Sequence, residues 1–161
     1  MTDHVDHILG QWASQRPDLD VSPMAVLGRI KRFARVAEAE QNRTFAAHGL
    51  DAASFDVLAT LRRNPPPHRM TPTELMRDAM VTSGAITQRL DRLQDRGLVT
   101  RGRNDADGRG VHVSLTKAGK TLIDKALPDH LATQQRILAA LGTGERDNLA
   151  RILRTLLESS G

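Results

Sequence analysis

The 161-residue chain has no cysteine and no tyrosine. Without thiols it holds no disulfide, no thiolate metal site, no cysteine nucleophile and no cysteine redox sensor. Its aromatic residues are Trp12, Phe33, Phe45 and Phe55. The core must therefore come from Leu, Ile, Val, Ala and Met, which suits helices better than a sheet sandwich. Lysine is scarce too, with 4 against 19 arginines. Long apolar runs are missing, the longest being the five residues Ile137 to Leu141. That argues against a transmembrane helix or the apolar part of a signal peptide, and it points to the cytoplasm with no membrane partner.

What is present reads as globular: 39% hydrophobic and 26% charged residues, on a length that suits one domain. The net charge is +4. Arg62 to Arg109 holds ten arginines and six acidic residues, so this segment alone carries the whole excess. A compact basic excess is the footprint of a nucleic-acid contact, or else an ordinary solvated surface.

The hydrophobic periodicity predicts an extra N-terminal helix within residues 1–20, Asp3 to Arg16, ended by Arg16-Pro17. A long helix follows from Met24 to His48, with Ser22 as its cap and Gly49 as its stop. Asp51 caps the next helix, and the proline-rich stretch Arg62 to Arg69 reads as a loop. Thr71-Pro-Thr-Glu74 is a capping box opening a short helix. Another helix runs from Ala85 to Arg96 and is closed by Gly97. The period then changes. Leu98 to Arg101 and Val111 to Leu115 alternate as two strands around the turn-rich segment Gly102 to Gly110. Thr116 caps a long helix to Leu141, and Thr143-Gly-Glu-Arg opens the last. The fold class is mainly α with a small two-stranded wing.

Thr71 to Leu115 is thus helix, turn, helix, wing. The second helix presents Thr82, Ser83, Thr87, Gln88, Arg89, Asp91 and Arg92 outward. Ser, Thr, Gln and Arg bond base edges and phosphates, and such a helix enters a major groove N-terminus first. Arg103 and Arg109 on the hairpin are placed for the adjacent minor groove. Asp3, His4, Asp6 and His7 lie together at a frayed terminus and do not make a metal site; no cofactor is expected. No nucleophile–base set or phosphate loop supports an enzyme.

Thr71-Pro-Thr-Glu-Leu, Val81-Thr-Ser-Gly-Ala-Ile-Thr-Gln-Arg-Leu-Asp-Arg-Leu-Gln-Asp-Arg-Gly-Leu-Val, Asp105-Ala-Asp-Gly-Arg109 and Leu115-Thr-Lys-Ala-Gly119 together resemble the MarR family over residues 24 to 159. The resemblance implies a winged helix-turn-helix regulator that binds double-stranded DNA as a homodimer. It implies a DNA-binding lobe at 51–115 and dimerisation helices at 21–48 and 116–159 of a single domain spanning 1–161. Two reading helices about 34 Å apart call for an inverted-repeat operator. The protein would be nucleoid-associated when bound to DNA. One departure is visible: the family often has two adjacent basic residues at the wing tip, and here Arg109 is followed by Gly110. Asp107 would help hold that wing, or be a plain turn residue.

The extra N-terminal helix resembles the urate-responsive (PecS/HucR-like) branch of that family. The resemblance assigns a planar-anion site to Trp12, Asp56, Arg89 and Arg101. Trp12 would wall the ring, the two arginines would grip its in-plane acceptors, and Asp56 would pair with Arg89 until the anion competes. Each residue also has a plainer role: packing for Trp12, a helix ion pair for Asp56, DNA contact for Arg89, a wing contact for Arg101. The same arginines would serve a carboxylate such as citrate or aconitate, and a regulator with no small-molecule response stays open.

Overall fold

The computed structural model describes residues 2–80, 83–103 and 110–160. They form α1 (His4–Gln15), α2 (Ser22–Ala47), α3 (Ala52–Arg63), β1 (Arg69–Met70), α4 (Pro72–Asp78), α5 (Ser83–Asp95), β2 (Val99–Arg103), β3 (Val111–Leu115), α6 (Lys117–Ile137) and α7 (Thr143–Glu158). None of these helices is long and apolar enough to cross a membrane. The chain divides into two compact units, residues 1–40 and 41–161.

In the first unit, Asp3 caps α1 by accepting from the amides of Val5 and Asp6, and Asp6 returns the bond to the Asp3 amide. Arg29 of α2 bonds both carboxylates, at 2.9 Å to Asp3 and 2.5 Å to Asp6. The amide bonds between the two acids, and then Arg29, hold both carboxyls below their usual range. The cap of α1 is therefore also its tether to α2, and Val5 is buried beneath it. α2 begins at Ser22 rather than Met24, so Ser22 lies inside the helix instead of capping it, and its amide donates to Asp20 at 2.9 Å.

In the second unit, Phe45, Leu50, Phe55, Val57, Leu58, Leu61, Leu75, Leu90, Leu93, Val99, Val113 and Ile123 share one core. Gly49 and Gly97 end α2 and α5 at φ 65° and 67°, the left-handed conformation that glycine takes without a Cβ penalty. The sheet has three strands in the order β1-β3-β2, not two. The correction is Arg69–Met70, which pairs antiparallel with Ser114 and Val113 and buries Met70. A two-residue strand behind three prolines carries no alternation to read.

The Leu115-to-Gly119 motif has a packing explanation. The Thr116 hydroxyl accepts from the Gly119 amide and donates to the Gly97 carbonyl at 2.7 Å, while the Thr116 amide donates to Leu98 O. A Cβ on Gly119 would lie 2.1 Å from Leu98 O, so only glycine fits. α6 is thereby seated on the turn that leaves α5. α6 ends at Ile137, short of Leu141, because Arg146 draws the Leu138 and Leu141 carbonyls into a corner with α7. The cap of α7 falls on Gly142, whose amide donates to Glu145, one residue before the expected start of that motif.

Candidate nucleic-acid interface and anion site

The capping box forms as its spacing requires. The Thr71 hydroxyl accepts from the Glu74 amide at 3.2 Å, and Glu74 accepts from the Thr71 amide at 2.8 Å. Those bonds hold the Glu74 carboxyl below its usual range. Thr71 thus has a structural role at the start of α4.

α5 buries Leu90 and Leu93 and leaves Thr87, Gln88, Asp91 and Arg92 exposed, the outward face expected of a reading helix. Thr82, Asp107 and Arg109, and the side chains of Ser83 and Arg103, lie outside the described residues. The wing strands run antiparallel from Val99↔Leu115 to Arg103↔Val111, which fixes the hairpin root.

Directional contacts hold α5 on several sides. Ahead of it in the chain, just after α4, the Met80 amide donates to Asp56 Oδ2 at 2.6 Å. Midway, Arg89 Nη1 meets Asp51 Oδ2 at 2.5 Å. Against the wing, Arg101 of β2 meets Asp91 at 2.7 Å and reaches the Thr87 carbonyl at 3.5 Å. At its exit, Arg96 donates to the Gly49 carbonyl at 2.8 Å. Asp51 is doubly engaged, since its other oxygen caps α3 by accepting from the Ser54 amide at 2.8 Å. Partial burial pushes the Asp51 carboxyl up. The Ser54 bonds, then the fields of Arg89 and Arg92, outweigh that and bring it below the usual carboxylate range.

Three of the four anion-site residues lie in the second unit, on α3, α5 and β2. The expected Asp56–Arg89 pair is not formed. Asp56 is directed to the Met80 amide, and Arg89 takes Asp51, whose capping geometry leaves one oxygen free. Trp12 sits on α1 in the first unit, 40% exposed. The two arginines are thus both ion-paired within the chain, to carboxylates that the sequence did not single out for this. The Asp51–Arg89 pair spans 38 positions and left no local signal. Asp91–Arg101 was open to inference, because the chain reverses at Gly97 between them. Among the described residues no group of three His, Asp or Glu side chains is placed to hold a metal.

Comparison with known proteins bears directly on this geometry. The MarR family model matches residues 48–110, from the end of α2 to the foot of β3. The transcriptional regulator PecS of Dickeya dadantii (strain 3937) is 34% identical over 149 residues, covering 92% of this chain and 90% of that one. Among solved structures, a mutant of Escherichia coli MarR complexed with operator DNA matches with a TM-score of 0.73 at 27% identity, over 97% of this chain and 99% of that one. Bordetella bronchiseptica BpsR, described as regulated in its DNA binding by 6-hydroxynicotinic acid, shares the fold at 24% identity and a TM-score of 0.73, over 81% and 91% of the chains. A capped α4, an outward polar α5, an antiparallel wing and a relative matched along nine-tenths of both sequences agree, and the chain belongs to the MarR family of DNA-binding transcriptional regulators.

Proposed function

We propose that the chain is a repressor that binds an inverted-repeat operator as a homodimer and is released by a small planar anion such as urate. The observation that carries the ligand reading is the state of Arg89 and Arg101. Both touch the reading helix or lie on it, and both are held by carboxylates that an anion can replace. Guanidinium groups grip planar oxyanions bidentately, so an anion of that shape competes on good terms. The family resemblance assigns the role of wall to Trp12 and of repelling carboxylate to Asp56. Because Arg89 is part of α5, taking it from Asp51 changes how α5 is held, and DNA and anion then favour different arrangements. Thr71, Thr82, Ser83, Thr87, Gln88 and Arg92 are the major-groove and phosphate contacts, with Arg103 and Arg109 in the minor groove.

A second copy is supported by α7. Leu149, Ile152, Leu153, Leu156 and Leu157 fall on one stripe and are 36–75% exposed, a patch that isolated soluble domains rarely leave bare.

The test is fluorescence polarisation of labelled DNA from the protein's own upstream region, titrated with urate, 6-hydroxynicotinate and citrate. Release by the planar anions, blunted in Trp12→Ala and Asp56→Ala, is expected. Release by citrate alone points to a carboxylate ligand. Tight binding unmoved by all three removes the ligand reading and leaves the regulator.

A further inference from the structure

We infer that Asp51 and Asp91 are positioning residues for operator recognition: they hold Arg89 and Arg101, and through them fix the roll of the reading helix α5. Asp51 belongs to the start of α3, Asp91 to the exposed face of α5 itself. Neither needs to touch DNA.

Leucine contacts alone leave α5 under-determined. Leu90 and Leu93 anchor it to the core, but apolar burial is non-directional and tolerates small rolls and slides. Base readout does not, because hydrogen bonds to base edges weaken steeply with distance and angle. The directional bonds on α5 supply what is missing. Arg89–Asp51 ties its middle to the cap of α3, and Arg101 grips it twice, at the Asp91 carboxylate and the Thr87 carbonyl. Arg96 to the Gly49 carbonyl ties its end. Two of these ties depend on carboxylate charge.

The charge of Asp91 sharpens the case. It is exposed between Gln88 and Arg92, on the face proposed to meet DNA. A carboxylate there repels phosphate, so charge alone says that its removal strengthens binding to any DNA. A positioning role says the opposite for the operator. The sign of the effect therefore separates the two.

The experiment measures affinity for operator and for scrambled DNA of equal length, at two salt concentrations, for the wild type, Asp51→Asn and Asp91→Asn. Asparagine caps helices as well as aspartate, so Asp51→Asn keeps the α3 cap and removes only the charge. The expected result is a five- to twenty-fold weaker operator complex in each variant, with scrambled-DNA binding unchanged or tighter. The operator-to-scrambled ratio then falls about fivefold or more. Asp91→Glu, which keeps the charge, recovers most of the ratio. A role in folding alone lowers the melting temperature and leaves the ratio of the folded protein untouched. Operator and scrambled affinities rising together, or a ratio unchanged in both variants, overturns the inference.

A second readout rests on the anion reading proposed above. If urate must take Arg89 from Asp51, Asp51→Asn releases DNA at a lower urate concentration than the wild type. A wild type deaf to urate overturns that reading and this arm alone, because the operator ratio is measured without ligand. An unchanged half-release concentration in Asp51→Asn overturns the displacement and leaves the site.

Discussion

α5 and α7 have similar apolar spacing and opposite fates. In α5, Leu90 and Leu93 are 3% and 0% exposed, closed over by the core of their own unit. In α7, Leu149, Ile152, Leu153 and Leu156 repeat at helical intervals and are 36–43% exposed, and none of its residues is buried. An amphipathic stripe states that a face is to be covered, not what covers it. For α5 the cover is in the same chain; for α7 the proposed cover is a second copy. Directional bonds add to the contrast. α5 is tied by side chains from outside the helix, whereas among the described residues the side-chain bonds that tie α7 to the end of α6 are those of Arg146 in its first turn.

The largest break in this comparison is made on α7. Leu153→Glu with Leu156→Glu should give a folded monomer and an operator affinity down on the order of a thousandfold, since two interface anchors at about 2 kcal/mol each are lost. Sedimentation with the polarisation assay checks both. On α5, Leu93→Ala acts within one chain. It should cost about 3 kcal/mol of stability, whereas the α7 substitutions abolish the dependence of melting temperature on protein concentration that a dimer shows.

Asp51 separates cap from charge. Asp51→Ala loses the Ser54 amide bond and should cost about 1 kcal/mol, while Asp51→Asn costs little stability and is read in DNA specificity. The depressed Asp51 carboxyl also sets a sign in pH. Its contribution is complete above the ordinary carboxylate value of about 4, and it is lost as pH falls through the lower folded value.

The smallest effect concerns His130, stacked on Phe45 at a centroid distance of 5.2 Å and tilted against Phe55 at 4.7 Å. Burial pushes its imidazole below the usual value. The unfolded chain takes up that proton near pH 6.5 and the folded chain only lower. Stability is therefore complete above about 6.5 and declines as pH falls through that window. His130→Phe should flatten this part of a melting-temperature profile against pH, and an identical slope in both proteins would remove the role.

The fold was legible where one residue type answers one local need. Gly49 and Gly97 at positive φ, the Thr71–Glu74 box and the two wing strands are all present, but the alternation read for β3 is not kept, since Val111 is exposed and His112 buried. β1 was not, because its pairing with β3 is set by partners more than forty residues away and its two residues carry no period of their own. That Arg89 lies on a helix and Arg101 on a wing strand was legible; their ion-pair partners were not. Asp51 reads as a cap from sequence, and nothing local announces that its second oxygen faces Arg89.

A hydroxyl-radical footprint of the upstream DNA, with and without urate, tests the central claim most directly. The account predicts protection on both halves of an inverted repeat, centred about one helical turn apart, and loss of both halves together as urate is added. Protection confined to one half-site, or a footprint that urate leaves intact, would contradict it.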